Sequence, residues 1–241
     1  MWKVHVALPM LAATATLLGC AGTPKAEMPA GASLAGNWKL NHATSEDPQV
    51  VIAKMRDQAW RIIRRANQYA DSAPPPGSTR GGHATGQESD PSQPFGADAT
   101  GNGAPGDQSG RRMDPLKRSP MMHALAAALA RGDYLTVRES SEQFVLDYGT
   151  TVRSFTPGAR SVVSSEMGVA DQQSGWEGNS YVIQLRDQIG PNVHETYALS
   201  ADGQHLIENL KIGPGELPAI ELKRVYDRTT EMAPRALPTN D

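Results

Sequence analysis

The sequence holds one cysteine, Cys20, and six histidines, at positions 5, 42, 83, 123, 194 and 205. No two of the histidines stand at the His-x-x-x-His spacing that puts both imidazoles of a metal site on one helix face. There is no Gly-x-Ser-x-Gly elbow to present a serine for acyl transfer, and no glycine-rich loop to cradle a phosphate. His194 and His205 fall in neighbouring apolar runs. If those runs pair about Ala201-Asp202-Gly203, the two imidazoles lie close to opposite one another, with Glu195 and Glu208 nearby. That grouping is a candidate metal or acid–base site. The plainer reading is a set of polar positions on an exposed sheet face. No residue proposes itself as catalytic, no motif implies a cofactor, and a non-catalytic role is expected.

Cys20 has a more specific context. Lys3 gives a short positive start, Val4 to Leu18 is apolar but short for a membrane span, and Leu17-Leu18-Gly19-Cys20 follows at once. This ending resembles the bacterial lipoprotein signal, with Leu17 three residues before the cysteine, Leu18 between, and small Gly19 at the cut. The resemblance implies that residues 1–19 are removed and that Cys20 carries acyl chains, palmitate among them. The alternative, an ordinary secretory peptide with Cys20 incidental, leaves a lone thiol in an oxidising envelope. Three acyl chains hold a protein far more firmly than one, so the chain is expected to be anchored rather than spanning. Ala21 after the cysteine, by the family's sorting rule, implies the outer membrane, facing the periplasm.

The remaining elements follow from spacing. Between Tyr134 and Arg228, short alternating apolar runs are separated by turn residues, as in Tyr181, Ile183 and Leu185 on one face against Gln184 and Arg186 on the other. The spacing predicts an antiparallel meander of seven or eight strands. Residues 20–33, small and proline-containing, read as an extended lipidated tether. Leu34 to Asn41, with Trp38 and Leu40 alternating against polar neighbours, reads as an isolated first strand. Asp47-Pro48 and Ser119-Pro120 each pair a capping side chain with proline at the first helical position. They open a basic amphipathic helix running to about Asp71 and a second, alanine-rich helix ended by Gly132. The first helix is expected to pack on the sheet with a solvated charged face, the alternative being contact with anionic lipid. Residues 73–113, with nine glycines and six prolines in 73–112, cannot bury enough surface to offset chain entropy and are expected to be disordered, as is the tail after 228.

Gly36-x-Trp38, Ser45 to Pro48, Gly175-Trp176-Glu177-Gly178, Thr196 to Gly203 and Arg224 to Arg228 together resemble a group of proteobacterial secreted proteins with lipocalin-like sheets and no assigned activity. The implied fold is mainly β with two helices, a lipocalin-like barrel or half-barrel, in which Gly36 and Trp38 close one end. The formal charge of −3 is interspersed in both signs, which removes any footprint for nucleic acid. Two functions fit. An envelope-assembly protein would fill its sheet with its own side chains and work through protein contacts. A carrier would hold a small hydrophobic ligand against Trp38, Trp176, Tyr181 and Tyr197. The supply of inward Leu, Ile, Val and Tyr leans toward the first.

Overall fold

The computed structural model describes residues 23–72, 113–165 and 168–235. Two-residue periodicity produces β1 (Gly36–Leu40) and then, after two helices, β2 (Tyr134–Glu139), β3 (Phe144–Asp147), β4 (Val152–Phe155), β5 (Arg160–Ser165), β6 (Gly168–Glu177), β7 (Ser180–Asp187), β8 (Val193–Leu199), β9 (His205–Ile212) and β10 (Ile220–Thr229). They form one antiparallel sheet in the order β4-β3-β2-β1-β10-β9-β8-β7-β6-β5. β4 and β5 are consecutive in the chain yet stand at its two ends. The sheet curls until those ends face each other: Arg153 of β4 reaches Glu195 of β8 at 2.6 Å, and Phe144 of β3 stacks on Tyr181 of β7 with centroids 3.6 Å apart. The fold is therefore mainly β, an antiparallel half-barrel wrapped around its own interior and open along the β4/β5 seam.

Both helices start where their caps predict. Asp47 Oδ1 accepts from the Gln49 N–H at 2.8 Å ahead of α1 (Pro48–Ser72), and Ser119 Oγ accepts from the Met122 N–H at 3.1 Å ahead of α2 (Pro120–Leu129). Their apolar stripes bury Met55 and Ala59 of α1 and Met121 and Leu125 of α2 against Leu210, Ile212, Ile220 and Leu222. Arg56 grips Asp114 through Nε at 3.1 Å and Nη2 at 2.8 Å, which ties α1 to the segment leading into α2. Both helices thus cover one end of the half-barrel. Among the described residues no helix is long and apolar enough to cross a membrane.

The structure departs from the sequence reading in four places. β1 is not isolated; it lies between β2 and β10, with Trp38 opposite Leu135 on one side and Arg228 on the other. β6 is a full ten-residue strand where the sequence reading named only Gly175-Trp176-Glu177-Gly178 and assigned no strand. Its central Asp171-Gln172-Gln173 hides the period, but Ala170, Ser174 and Trp176 point inward and are buried. The second half of the supposed tether is docked rather than extended: Pro24, Ala32 and Leu34 are buried, and Lys25 forms an antiparallel bridge to Trp176 with N–H···O distances of 2.9 and 2.8 Å. The described tail is also engaged, with Glu231 3.4 Å from Lys39 and the Pro234 carbonyl so close to Gly149 that an added Cβ would meet it at 2.1 Å. The signal segment with Leu17, Leu18, Gly19 and Cys20, and the expected disordered insertion, lie outside the described residues.

At the end opposite the helices, residues 24–34 cross the barrel as a strap. Trp38 Nε1 donates to the Leu34 carbonyl at 3.1 Å, and the Leu34 N–H donates to Glu139. Phe144, Trp176 and Tyr181 fill the space beneath, with Trp176 edge-on to Tyr181 at 5.3 Å. This end of the interior is filled by its own rings.

Candidate functional site

Between the aromatic end and the helical end, the interior carries charge. Strand parity aims Glu195 of β8, Glu208 of β9, Arg224 and Tyr226 of β10, Arg153 of β4, and Tyr197 inward. Tyr148, just after β3, and Arg131, in the connection from α2 to β2, join them. Glu195 and Glu208 have no exposed surface. Arg131 reaches both, at 2.7 and 3.4 Å; Arg153 reaches Glu195 at 2.6 Å and Arg224 reaches Glu208 at 3.4 Å. The Tyr197 hydroxyl lies 2.9 Å from Glu195, 3.1 Å from Glu208 and 3.2 Å from the Tyr148 hydroxyl, and Tyr226 donates to Glu208 at 2.9 Å. Both carboxylates are thereby saturated.

The electrostatics follow from these contacts. Burial alone would push the Glu195 carboxyl up, but the Arg131 and Arg153 guanidiniums outweigh it and hold its pKa well below the usual carboxylate range. Burial, reinforced by Glu195 and Glu208 for Tyr197 and by Glu208 for Tyr226, holds both phenols well above their ordinary value, so both stay neutral. Three guanidiniums, Arg131, Arg153 and Arg224, pair with two carboxylates, Glu195 and Glu208. The guanidiniums outnumber their carboxylate partners by one, in a setting where isolated charge is costly.

Two of the three guanidiniums face an opening. A cavity of about 260 Å³ opens under α2 along the β4/β5 seam. Arg131, Arg153 and Glu195 border it on the inner side, and Ala124, Ala127, Ala170, Leu185 and Val193 supply apolar wall. His123 of α2, and Ser165 and Asp187, which hydrogen-bond each other, also line it. Arg131 and Arg153 keep 12% and 18% of their side-chain surface exposed, against 5% for Arg224. Among the described residues Arg153 donates through Nη1 to Glu195 while its guanidinium lies 5.0 Å above the Phe155 ring. It has further N–H groups to offer. Larger hollows of about 630 and 840 Å³ lie on the outer surface, beside Glu231–Arg235 and beside Gly36 and Arg228.

The four aromatic residues proposed from sequence for ligand contact separate. Trp38, Trp176 and Tyr181 belong to the packed strap end, where Arg228 covers the Trp38 ring at 4.3 Å and the Tyr181 hydroxyl donates to Ser174. Tyr197 belongs to the charged cluster. His194 and His205 are not opposed: the β8–β9 register sets His194 across from Lys211, and His205 sits at the hairpin end, 2.7 Å from Asp227. The register runs Leu199 to Leu206, which carries the two histidines away from each other along the ladder. Among the described residues no group of three His, Cys, Asp or Glu side chains is placed to hold a metal ion. Glu195 and Glu208, named only as neighbours of the histidines, are the central pair. The missed signal was parity: Glu195 shares the face of Val193 and Tyr197, Glu208 that of Leu206 and Leu210, and Arg224 that of Leu222 and Tyr226.

Comparison with known proteins gives likeness of fold only. No family model matches the chain, and no curated protein matches. Lipid binding protein 8 of Caenorhabditis elegans superposes over 81% of this chain and 94% of its own, at 9% identity and a TM-score of 0.41. A fatty acid transporter matches over 45% and 79%, at 15% identity and a TM-score of 0.34. Zebrafish ileal bile acid-binding protein, complexed with cholic acid, matches over 40% and 72%, at 14% identity and a TM-score of 0.30.

Proposed function

We propose that this protein is a non-catalytic carrier or sensor of a small amphiphile whose acidic head enters the cavity under α2, and that acyl chains on Cys20 hold it at the outer membrane, facing the periplasm. The observation that carries the binding part is the cavity itself, largely apolar along its walls and bordered inside by the Arg131 and Arg153 guanidiniums, with Glu195 and Asp187 as the carboxylates of its lining. An anionic head would accept charge-assisted hydrogen bonds from the N–H groups of Arg153 and Arg131 that face the cavity. At about 260 Å³ the cavity is just below the ~300–1,000 Å³ range usual for small-molecule sites, which suits a short amphiphile or the head of a longer one.

The envelope-assembly reading required an interior filled by its own side chains. The strap end meets that description, but the seam under α2 does not, and the cavity there favours the carrier. Anchoring is supported by Leu17, Leu18 and Gly19 ahead of Cys20.

Binding is tested by titrating the soluble form, residues 21–241, with a fluorescent medium-chain fatty acid and with its methyl ester. The acid is expected to bind about tenfold or more tightly than the ester, about 1.4 kcal/mol or more, and Arg153→Leu is expected to erase that preference. Equal affinity for acid and ester in the parent protein would remove the acidic head from the proposal, and binding of neither would remove the carrier. For the anchor, Cys20→Ser is expected to move the protein from the membrane fraction to the soluble one; retention in membranes would count against acylation.

A further inference from the structure

The strap fixes which way a lipid-held molecule must face. Lys25 is laced to Trp176 by two backbone hydrogen bonds, and Pro24, Ala32 and Leu34 are buried. Its seat is shaped for backbone rather than side chain: a Cβ on Gly175 would stand 2.5 Å from the Lys25 carbonyl oxygen, and one on Gly158 would stand 2.9 Å from Ala26. The strap therefore belongs to the fold from Pro24 onward. Between Cys20 and Pro24 lie only Ala21, Gly22 and Thr23. Four residue steps of fully extended chain reach at most about 14 Å.

We propose that the strap end of the half-barrel rests on the bilayer holding the protein's own acyl chains, kept there by this short reach, so that the cavity under α2 opens away from that bilayer. The inference rests on acylation of Cys20. The strap crosses the barrel at the ends of β6 and β2 and the starts of β7 and β1, whereas the cavity lies at the far ends of β6 and β7, beside Ala170 and Leu185. β7, with eight residues, spans roughly 26 Å along its length. At the ~40° tilt usual in barrels this separates the two ends by about 20 Å. The surface at the strap end suits headgroup contact: polar turns at residues 140–143, 178–179 and 200–204 surround it, and on the strap itself Met28 is 45% exposed. Exposed Val152, Val169 and Ile189 lie at the other end, toward the seam and the helices. A ligand thus exchanges with the aqueous space or with a facing surface, not by sliding in from the membrane that carries the protein.

Because Cys20 is the only cysteine and acylation blocks it, one introduced cysteine gives a single reactive thiol. The test uses the mature lipidated protein in phosphatidylethanolamine/phosphatidylglycerol vesicles, with a fluorophore on Asn179→Cys at the strap end or on Ile189→Cys at the helical end. Quenching is read from lipids with nitroxide-labelled headgroups. The label at 179 is expected to be quenched at least threefold more than that at 189. Equal or reversed quenching on a protein whose mass confirms acylated Cys20 overturns the orientation alone. A mass without acyl chains, or fluorophore found on Cys20, overturns the anchoring and the orientation with it. Inserting twenty Gly/Ser residues between Thr23 and Pro24 leaves the strap seated and lengthens only the reach. The contrast between labels is expected to collapse in this variant, and its persistence would overturn the short tether as the cause.

Discussion

Glu195 has no exposed surface yet stays ionised, because Arg131 and Arg153 supply more stabilisation than burial removes. Its carboxyl is therefore a source of stability with a defined pH window. A carboxyl whose folded pKa is depressed contributes fully above its unfolded value, about 4.3, and loses that contribution as pH falls toward the folded value. Glu195→Gln should cost about 3–5 kcal/mol at pH 7, since it leaves two buried guanidiniums short of a counter-charge. The advantage of the parent protein over the variant, read from urea midpoints, should shrink between pH 5 and pH 3, as the unfolded carboxyl takes up its proton before the folded one; a constant difference would show that the fold does not hold the Glu195 pKa below its unfolded value. The same residue marks a limit of sequence reading. An inward carboxylate on a strand looks like an outward one until its parity is compared with neighbours such as Val193 and Tyr197, and until partners as remote as Arg131 and Arg153 are known. The helix caps Asp47 and Ser119 were legible because their meaning is local. The cluster was not, because its meaning depends on how the sheet curls.

At the scale of elements, the capping residues carried most information. Asp47-Pro48 and Ser119-Pro120 placed both helix starts, since each cap satisfies backbone donors within its own turn and owes nothing to tertiary context. Ser119 does more than cap: it also hydrogen-bonds Glu216, whose carboxylate accepts from the Met121 N–H at 3.1 Å and so pins α2 to the β9–β10 connection. Ser119→Ala should cost about 1 kcal/mol, a fall of roughly 2–4 °C in thermal midpoint for a chain of this size, and an unchanged midpoint would show that Glu216 caps the helix unaided. β6 escaped the same kind of reading because Asp171, Gln172 and Gln173 look the same in either strand parity. The strap escaped because small residues and prolines fit a flexible tether as well as a segment seated on glycine backbone, and only Gly158 and Gly175 opposite it distinguish the two.

Taken whole, the molecule is a sheet whose continuity depends on β1, the short strand that joins β2 to β10. A chain ending at Tyr226 would lose Asp227, Arg228 and Thr229, three of the four register partners that β10 gives β1, and with them the Arg228 cover over Trp38. Such a truncation should lose its cooperative thermal transition by circular dichroism, whereas one ending at Arg235 should keep it. The meander was legible because each hairpin is local; the joining strand was not, because it pairs residues from opposite ends of the chain, and the seam was not, because β4 and β5 follow each other in the chain without pairing. That wiring also sets a clock. Contacts so distant in sequence form slowly and late, and a chain threaded N-terminus first through a narrow channel presents β1 long before β10 emerges to meet it. Closure of the sheet is then timed to the end of transit, and the chain stays unfinished, and threadable, for as long as it needs to be.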